Sequence, residues 1–255
     1  MQALILCGGQ GTRLRSVIGE RQKTMTKVGA TPFLVNVINY LKSYKITNVI
    51  FATGYKSHEV RDYFGEKYYF GVDVSYSEEK ISLGTGGAIR NAYPKLKYDE
   101  VLVLNGDTLF EADLNKLKNN FKTLNADMSI ACKAIDDKSR YGTIKISYDS
   151  DRNGGNKEQG VILSFDEKAS KHSDDDNSDL YINGGIYIIK KDLIATISQN
   201  EKLSLEKDLI PKWLSEGKLI GGVVSEASFI DIGTPESLGE YKKSQDLSED
   251  ESIEK

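Results

Sequence analysis

The 255-residue sequence is poor in several residues that whole protein classes depend on. Its two cysteines, Cys7 and Cys132, lie too far apart in the chain and are too few for a disulfide framework, which points to a reducing compartment. Its two histidines, His58 and His172, exclude a histidine-rich zinc centre. No apolar run reaches the roughly 18 residues that a membrane-spanning helix needs. The first apolar run, residues 3–7, is too short for a signal peptide and lacks a basic flank. A net charge of −4 gives no basic excess for general nucleic-acid binding. With 4 prolines, 39% hydrophobic and 28% charged residues, the composition is that of a globular protein, not of a collagen, a coiled coil or a disordered chain. A chain of this length can bury a full core unaided. The expectation is a soluble cytoplasmic protein with no membrane or nucleic-acid partner.

What is present is an alternation of strand-like and helix-period segments. Residues 4–7, 49–52, 72–77 and 101–104 read as buried strands. Phe33, Leu34, Val37, Ile38 and Leu41 share one helical face just after Pro32, and residues 58–64 and 113–124 carry two further helices. Strands alternating with helices imply a largely parallel sheet covered on both faces. The second half is richer in strands, at 128–134, 143–147, 161–165 and 181–189, with helices at 204–215 and 235–241. Polar residues 149–160 and 170–179 are expected as surface loops, and the acidic run Asp174-Asp175-Asp176 as a solvated face rather than a metal site. The fold class is therefore α/β: a Rossmann-like, mixed, mostly parallel sheet with helices on both faces and a smaller subregion. A single domain over 1–243 is expected, divided near 126/127, followed by a frayed acidic tail at 244–255. Cys7 reads as a small buried residue, and Trp213 as core or interface.

The informative segment is Gly8-Gly9-Gln10-Gly11-Thr12-Arg13-Leu14, directly after the first strand. Glycines there let backbone N–H groups approach phosphate oxygens, and Arg13 adds a fork of donors. A dinucleotide fingerprint would need glycine at Leu14. A P-loop needs Gly-Lys-Ser/Thr, whereas the chain's Gly217-Lys218 is followed by Leu219. The segment resembles the signature Gly-Gly-x-Gly-Thr-Arg-Leu of the sugar-phosphate nucleotidyltransferases, the NDP-sugar pyrophosphorylases. Their signature continues to a lysine, usually within Pro-Lys-Pro. Here that element is Gln22-Lys23-Thr24, so the lysine is kept, the prolines are not, and a less rigid loop is expected. Lys27 and Arg21 are nearby rivals for the lysine's role.

Further segments match in family order: Leu83-Gly84-Thr85-Gly86-Gly87-Ala88, the loop holding base and ribose; Asn105-Gly106-Asp107; Arg140-Tyr141-Gly142-Thr143; Phe165-Asp166-Glu167-Lys168; Asn183-Gly184-Gly185-Ile186-Tyr187; and Phe229-Ile230-Asp231-Ile232-Gly233-Thr234. The resemblance spans residues 2–241 or so. Within the family, Cys7 before the glycine pair and the Leu-Gly-Thr-Gly-Gly-Ala segment are most like the D-glycero-D-manno-heptose 1-phosphate guanylyltransferases. The left-handed β-helix domain of longer relatives is expected to be absent.

The resemblance implies the reaction NTP + sugar 1-phosphate → NDP-sugar + pyrophosphate, with GTP and a heptose 1-phosphate as substrates. Mannose or glucose 1-phosphate, another NTP, or a catalytically weak binding role remain alternatives. A homodimer is among the assemblies compatible with the chain. The attacking phosphate oxygen is already ionised, so no general base is required. The obstacle is repulsion between two polyanions, so positioning and charge neutralisation must carry catalysis. By resemblance, Asp107 and Asp231 are the ligands of Mg²⁺, and Arg13, Lys23 and Asp107 the catalytic residues. Leu6, Gly8, Gly9, Gly11, Thr12, Gly84 and Thr85 surround the nucleotide. Gly142, Glu167, Lys168, Asn183 and Gly184 surround the sugar phosphate, although Asn183 beside two glycines reads equally well as a turn. A family side chain five positions before Gly84 reads the base, which gives Glu79, with Glu78 as the neighbour in register. A carboxylate there matches the adjacent N1–H and N2–H₂ donors of guanine.

Overall fold

The computed structural model describes residues 1–134, 143–148, 158–166 and 180–253. In chain order the strands are β1 (Gln2–Cys7), β2 (Lys27–Val28), β3 (Thr31–Pro32), β4 (Asn48–Thr53), β5 (Tyr68–Tyr69), β6 (Val72–Glu78), β7 (Glu100–Asn105), β8 (Thr108–Phe110), β9 (Met128–Lys133), β10 (Thr143–Ser147), β11 (Gln159–Asp166), β12 (Leu180–Lys190), β13 (Ile220–Ser225) and β14 (Phe229–Asp231). The helices are α1 (Arg15–Ile18), α2 (Phe33–Ser43), α3 (Ser57–Phe64), α4 (Gly84–Asn91), α5 (Leu114–Thr123), α6 (Lys191–Ala195), α7 (Ile210–Ser215) and α8 (Pro235–Ile253). A π-helical turn, Leu205–Leu209, leads into α7.

Ten strands form one mixed sheet in the order β10-β11-β13-β9-β12-β7-β1-β4-β6-β5. Its parallel centre is β7-β1-β4-β6, built from the first-half strands. Antiparallel pairing enters where β12 inserts between β7 and β9, so the sheet runs unbroken through both halves. Alternate residues of β1 explain why helices cover both faces. Ala3, Ile5 and Cys7 join a core with α2, α3, α5 and α8, while Leu4 joins a second core with α4, α6 and α7. The helices form because their apolar residues recur at helical spacing: Phe33, Leu34, Val37, Ile38 and Leu41 of α2 are all at most 1% exposed. Asp113 caps α5 by accepting from the N–H groups of Asn115 and Lys116. Trp213 lies in the second core, and Cys7 is buried, as their residue types suggested.

Three expectations are corrected. Residues 84–88 are not a loop but the first turns of α4, because their glycines let the chain at Leu203 pack against a helix: Gly86 N–H donates to Leu203 O at 2.9 Å. The acidic tail continues α8 as far as Ile253, since residues 240–253 contain no glycine or proline to stop a helix. The polar stretch 149–160 ends in strand, with Gln159 and Gly160 pairing to β13; residues 149–157 and 170–179 lie outside the described residues. Among the described residues no helix is long and apolar enough to cross a membrane.

Candidate active site

The parallel strands end on one side of the sheet, and the segments that follow them converge there: Gly8 after β1, Gly54 after β4, Glu79 after β6 and Gly106-Asp107 after β7. This is the edge at which open α/β sheets hold ligands. A cavity of about 220 Å³ opens between them, lined among others by Leu6, Gly8, Gly9, Glu79, Gly84, Thr85 and Asp107.

Glycines make the approach of the phosphate loop possible. Gly11 has φ +58°, and a Cβ on it would lie 3.1 Å from Lys23 Cβ, so the loop packs directly on the lysine turn. Leu14 N–H closes the turn onto Gly11 O at 2.9 Å, and Thr12 and Arg13 are exposed. Lys23 is only 9% exposed and donates from Nζ to Asp107 Oδ2 at 2.5 Å. Its rivals Arg21 and Lys27 are exposed.

The expected looseness around Lys23 is not what the structure holds. Gln22, 1% exposed, caps a single tight turn at Lys23–Met25. Its Oε1 accepts from Thr24 N at 2.5 Å, Thr24 Oγ1 at 2.7 Å and Met25 N at 3.3 Å, and its Nε2 donates to Cys7 O. A side-chain amide supplies the local order that the missing prolines would have given.

Asp107 and Asp231 are brought side by side by a short antiparallel ladder. Asp231 at the end of β14 pairs with Thr108 of β8, and Ile232 N–H donates to Asp107 O at 3.0 Å. Burial, and then the charge of Asp107, raise the Asp231 pKa, while Lys23, the Gly233 N–H and Arg13 pull it down. Among the described residues no group of three or more His, Cys, Asp or Glu side chains could hold a metal. Two neighbouring carboxylates are a hard-oxygen donor pair. They fit a cation such as Mg²⁺ that takes its other ligands from phosphate and water.

Glu79 is half-buried and lines the cavity, its Oε2 accepting from Leu83 N–H at 3.1 Å. Burial raises its pKa, with the Leu83 N–H acting in the opposite direction. A Cβ on either Gly8 or Gly54 would come within 2.7 Å of Glu79 Oε1. Its neighbour Glu78 points elsewhere: it is exposed and accepts from Ser57 Oγ at 2.6 Å.

Of the candidates for the sugar phosphate, Asn183 and Gly184 are among the described residues. Asn183 donates from Nδ2 to Tyr187 OH at 2.6 Å and accepts from Gly185 N–H at 3.0 Å, so both ends of its amide clamp the irregular middle of β12. Gly184 is buried where a Cβ would collide with the Phe110 ring. Gly142, Glu167 and Lys168 lie outside the described residues.

The family profile described as nucleotidyl transferase matches residues 2–247. The chain belongs to the nucleotidyl transferase family. It is 40% identical over 245 residues to a D-glycero-alpha-D-manno-heptose 1-phosphate guanylyltransferase of Aneurinibacillus thermoaerophilus, covering 96% of this chain and 97% of that protein. It is 39% identical over 236 residues to the protein of the same name from Campylobacter jejuni, covering 92% and 96% of the two chains. The crystal structure of HddC from Yersinia pseudotuberculosis complexed with GMP-PN is similar over 95% of this chain and 98% of that one, with a TM-score of 0.77 and 31% identity.

This nucleotidyl transferase also has residues beside the cavity and its neighbouring hydrogen bonds that the sequence did not flag. Glu206, on the π-helical turn, accepts from Thr85 Oγ1 at 2.7 Å and Ser204 Oγ at 2.9 Å, while its other oxygen accepts from Tyr187 OH at 3.3 Å. Tyr187 in turn meets Asn183, so one hydrogen-bonded chain joins the start of α4 to β12. No motif surrounds Glu206 in the sequence; its hydrogen bonds appear only when distant segments are folded together. Asn105 lines the cavity and stands where a Cβ on Gly185 would approach its Nδ2 to 2.9 Å.

Proposed function

We propose that this nucleotidyl transferase moves the guanylyl group of GTP to D-glycero-D-manno-heptose 1-phosphate, giving GDP-heptose and pyrophosphate. The observation that carries the guanine reading is Glu79: a half-buried carboxylate lining the cavity with no lysine or arginine paired to it among the described residues. Guanine's N1–H and N2–H₂ suit two carboxylate oxygens. Adenine and cytosine present no such donor pair on that edge, and uracil or thymine would set a carbonyl against the negative charge. The names of the two relatives support the heptose.

In this reading residues 1–126 hold the nucleotide and 127–243 the sugar phosphate. The phosphate of the sugar attacks the α-phosphorus in line, and no residue has to remove a proton. The Gly8–Gly11 backbone cradles the triphosphate. Lys23 and Arg13 neutralise the charge that builds on the departing pyrophosphate. Thr12, beside Arg13, lies on the triphosphate side, and Leu6, Gly84 and Thr85 face the nucleoside. Asp107 and Asp231 would hold Mg²⁺, which when bound supplies Lewis-acid charge neutralisation at the phosphates. Glu167, Lys168, Gly142, Asn183 and Gly184 remain the proposed sugar-phosphate side.

Pyrophosphate release with Mg²⁺ and each of four NTPs, against heptose, mannose and glucose 1-phosphates, tests the proposal. GTP with the heptose should give the highest kcat/KM. The margin over mannose 1-phosphate should be about 10–200-fold, the size of one small appendage in a pocket. Equal use of the sugars would remove the heptose, and preference for another NTP would remove the guanylyl assignment.

A further inference from the structure

We propose that Gln22 is the positioning residue of Lys23, a buried amide that aims the lysine by locking its turn to the end of β1. The proposal rests on the reading of Lys23 as the lysine of the triphosphate site.

Lysine is a flexible four-carbon stem with a point charge at its tip, so its direction must come from its surroundings. The backbone from which it springs is a single tight turn, with Met25 N–H on Gln22 O at 3.0 Å and Thr26 N–H on Lys23 O at 3.1 Å. Two such bonds do not fix where a turn sits on the protein. Gln22 does that. Its Nε2 reaches Cys7 O, and Cys7 is the last residue of β1, immediately before Gly8 and Gly9. Its Oε1 gathers the Thr24 and Met25 N–H groups and the Thr24 hydroxyl. Its own backbone N–H donates to Glu59 Oε2 of α3 at 3.1 Å. One residue therefore joins the lysine turn, the start of the phosphate loop and a helix of the core.

The chemistry of the amide is specific to this task. It must donate at one end and accept at the other. An apolar side chain of the same length would leave the Thr24 N–H, which is buried with its residue, without this acceptor. Gln22 has φ −63° and ψ 127°, an extended conformation that places its side chain back over the following turn as a cap. The lysine it orients then arrives at Asp107 Oδ2 with its stem packed on Gly11. A small rotation of the turn would carry the ammonium group away from both.

The test is a double-mutant cycle on the full chain: wild type, Gln22→Met, Lys23→Ala and the double variant. Readouts are kcat and KM with GTP, Mg²⁺ and the sugar 1-phosphate that the wild type turns over, together with the Tm of each protein. Gln22→Met keeps the volume and removes every side-chain hydrogen bond. It should lower kcat about 10- to 100-fold, the effect of a displacement near 1 Å, with the sugar KM changed less than about twofold. In the Lys23→Ala background the same substitution should lower kcat no further. An equal loss in both backgrounds, or a kcat near wild type, overturns the proposal. Wild-type kcat in Lys23→Ala alone overturns the underlying reading of Lys23 and is seen separately. If Gln22→Met does not fold, Thr24→Val removes one of the bonds to Oε1 and serves in the same cycle. It should lower kcat about fivefold with Lys23 present and not with Lys23→Ala, and no loss with Lys23 present overturns the proposal.

Discussion

Replacing Glu79 with glutamine separates what the carboxylate does for the substrate from what it does to the free protein. In the free protein the group is half-buried, accepts one N–H from Leu83 and pairs with no cation among the described residues. Burial raises its pKa, so its ionised form is less favourable in the folded chain than in the unfolded one. The sign follows from linkage. A carboxyl whose folded pKa is raised favours folding fully only at acid pH, below its unfolded pKa. That contribution is lost as pH rises through the folded pKa. At neutral pH the wild type therefore carries an unfavourable buried charge that Glu79→Gln lacks, and the apo variant should have the higher Tm. The difference should shrink as the pH falls through the unfolded value and below about 4, where the wild-type group becomes protonated in both states. With GTP the order reverses. The carboxylate offers two charge-assisted acceptors to guanine, each worth about 1.5–3 kcal/mol, and an amide can keep only one neutral bond while turning its NH₂ toward the second donor. Losing one such bond corresponds to about a 10- to 150-fold fall in kcat/KM for GTP, with UTP and dTTP affected less. Steady-state pyrophosphate release and thermal unfolding across pH measure the two halves. A Gln variant that discriminates GTP from UTP as well as the wild type would refute the base-reading role, and an apo Tm that does not rise would refute the buried-charge argument.

Asp107→Asn should leave the fold intact and lower kcat roughly 100-fold or more at saturating Mg²⁺, because a neutral amide is a poor magnesium ligand; Asp231→Asn should lower it less, and near-wild-type turnover in Asp107→Asn would exclude the assignment. Lys23→Ala should reduce kcat far more than Lys27→Ala, since Lys23 is buried against Asp107 and Lys27 is exposed on β2; the reverse order would place the triphosphate elsewhere. Glu206→Ala should destabilise the protein by about 1–3 kcal/mol in a denaturant titration by leaving Thr85 Oγ1 without its acceptor. It should also raise the KM for GTP more than it lowers kcat, and an unchanged KM would detach this network from the nucleotide site.

The sheet's centre was legible because β1, β4 and β7 are near-continuous apolar runs, as strands buried on both faces must be, and β6 alternates apolar with polar residues. The strand β13 was not. It begins Ile220-Gly221-Gly222, and those glycines dilute the apolar signal while answering a tertiary demand: a Cβ on Gly221 would strike Asn120, and one on Gly222 would lie 2.8 Å from Ile146 Cδ1. The strands β8 and β14, three residues each, are too short for any period to show, yet their pairing sets Asp231 opposite Thr108 and so beside Asp107. The two aspartates could thus be named from motifs, but their adjacency could not. Asn183 marks the other limit. Its residue type suits either a ligand contact or a turn, and only the partners Tyr187 and Gly185 show that its amide is engaged within β12.

The glycine motif carried a second requirement that local reading could not separate from the first. Gly8 belongs to the phosphate loop, where absence of a side chain lets backbone N–H groups reach an oxyanion. In the folded protein the space a Gly8 Cβ would take also holds Glu79 Oε1, and Gly54, which belongs to no recognised motif, leaves the same space from the neighbouring strand. Two glycines after adjacent parallel strands and one carboxylate after the third are thus a single steric solution. The proposed phosphate approach demands a bare backbone at Gly8, and the space this leaves is where Glu79 stands, with no cation paired to it among the described residues. A larger residue at Gly54 would therefore press on the proposed base-reading carboxylate as well as on the Gly8 carbonyl, 3.2 Å from where its Cβ would stand, although nothing in the residues around Gly54 alone says so.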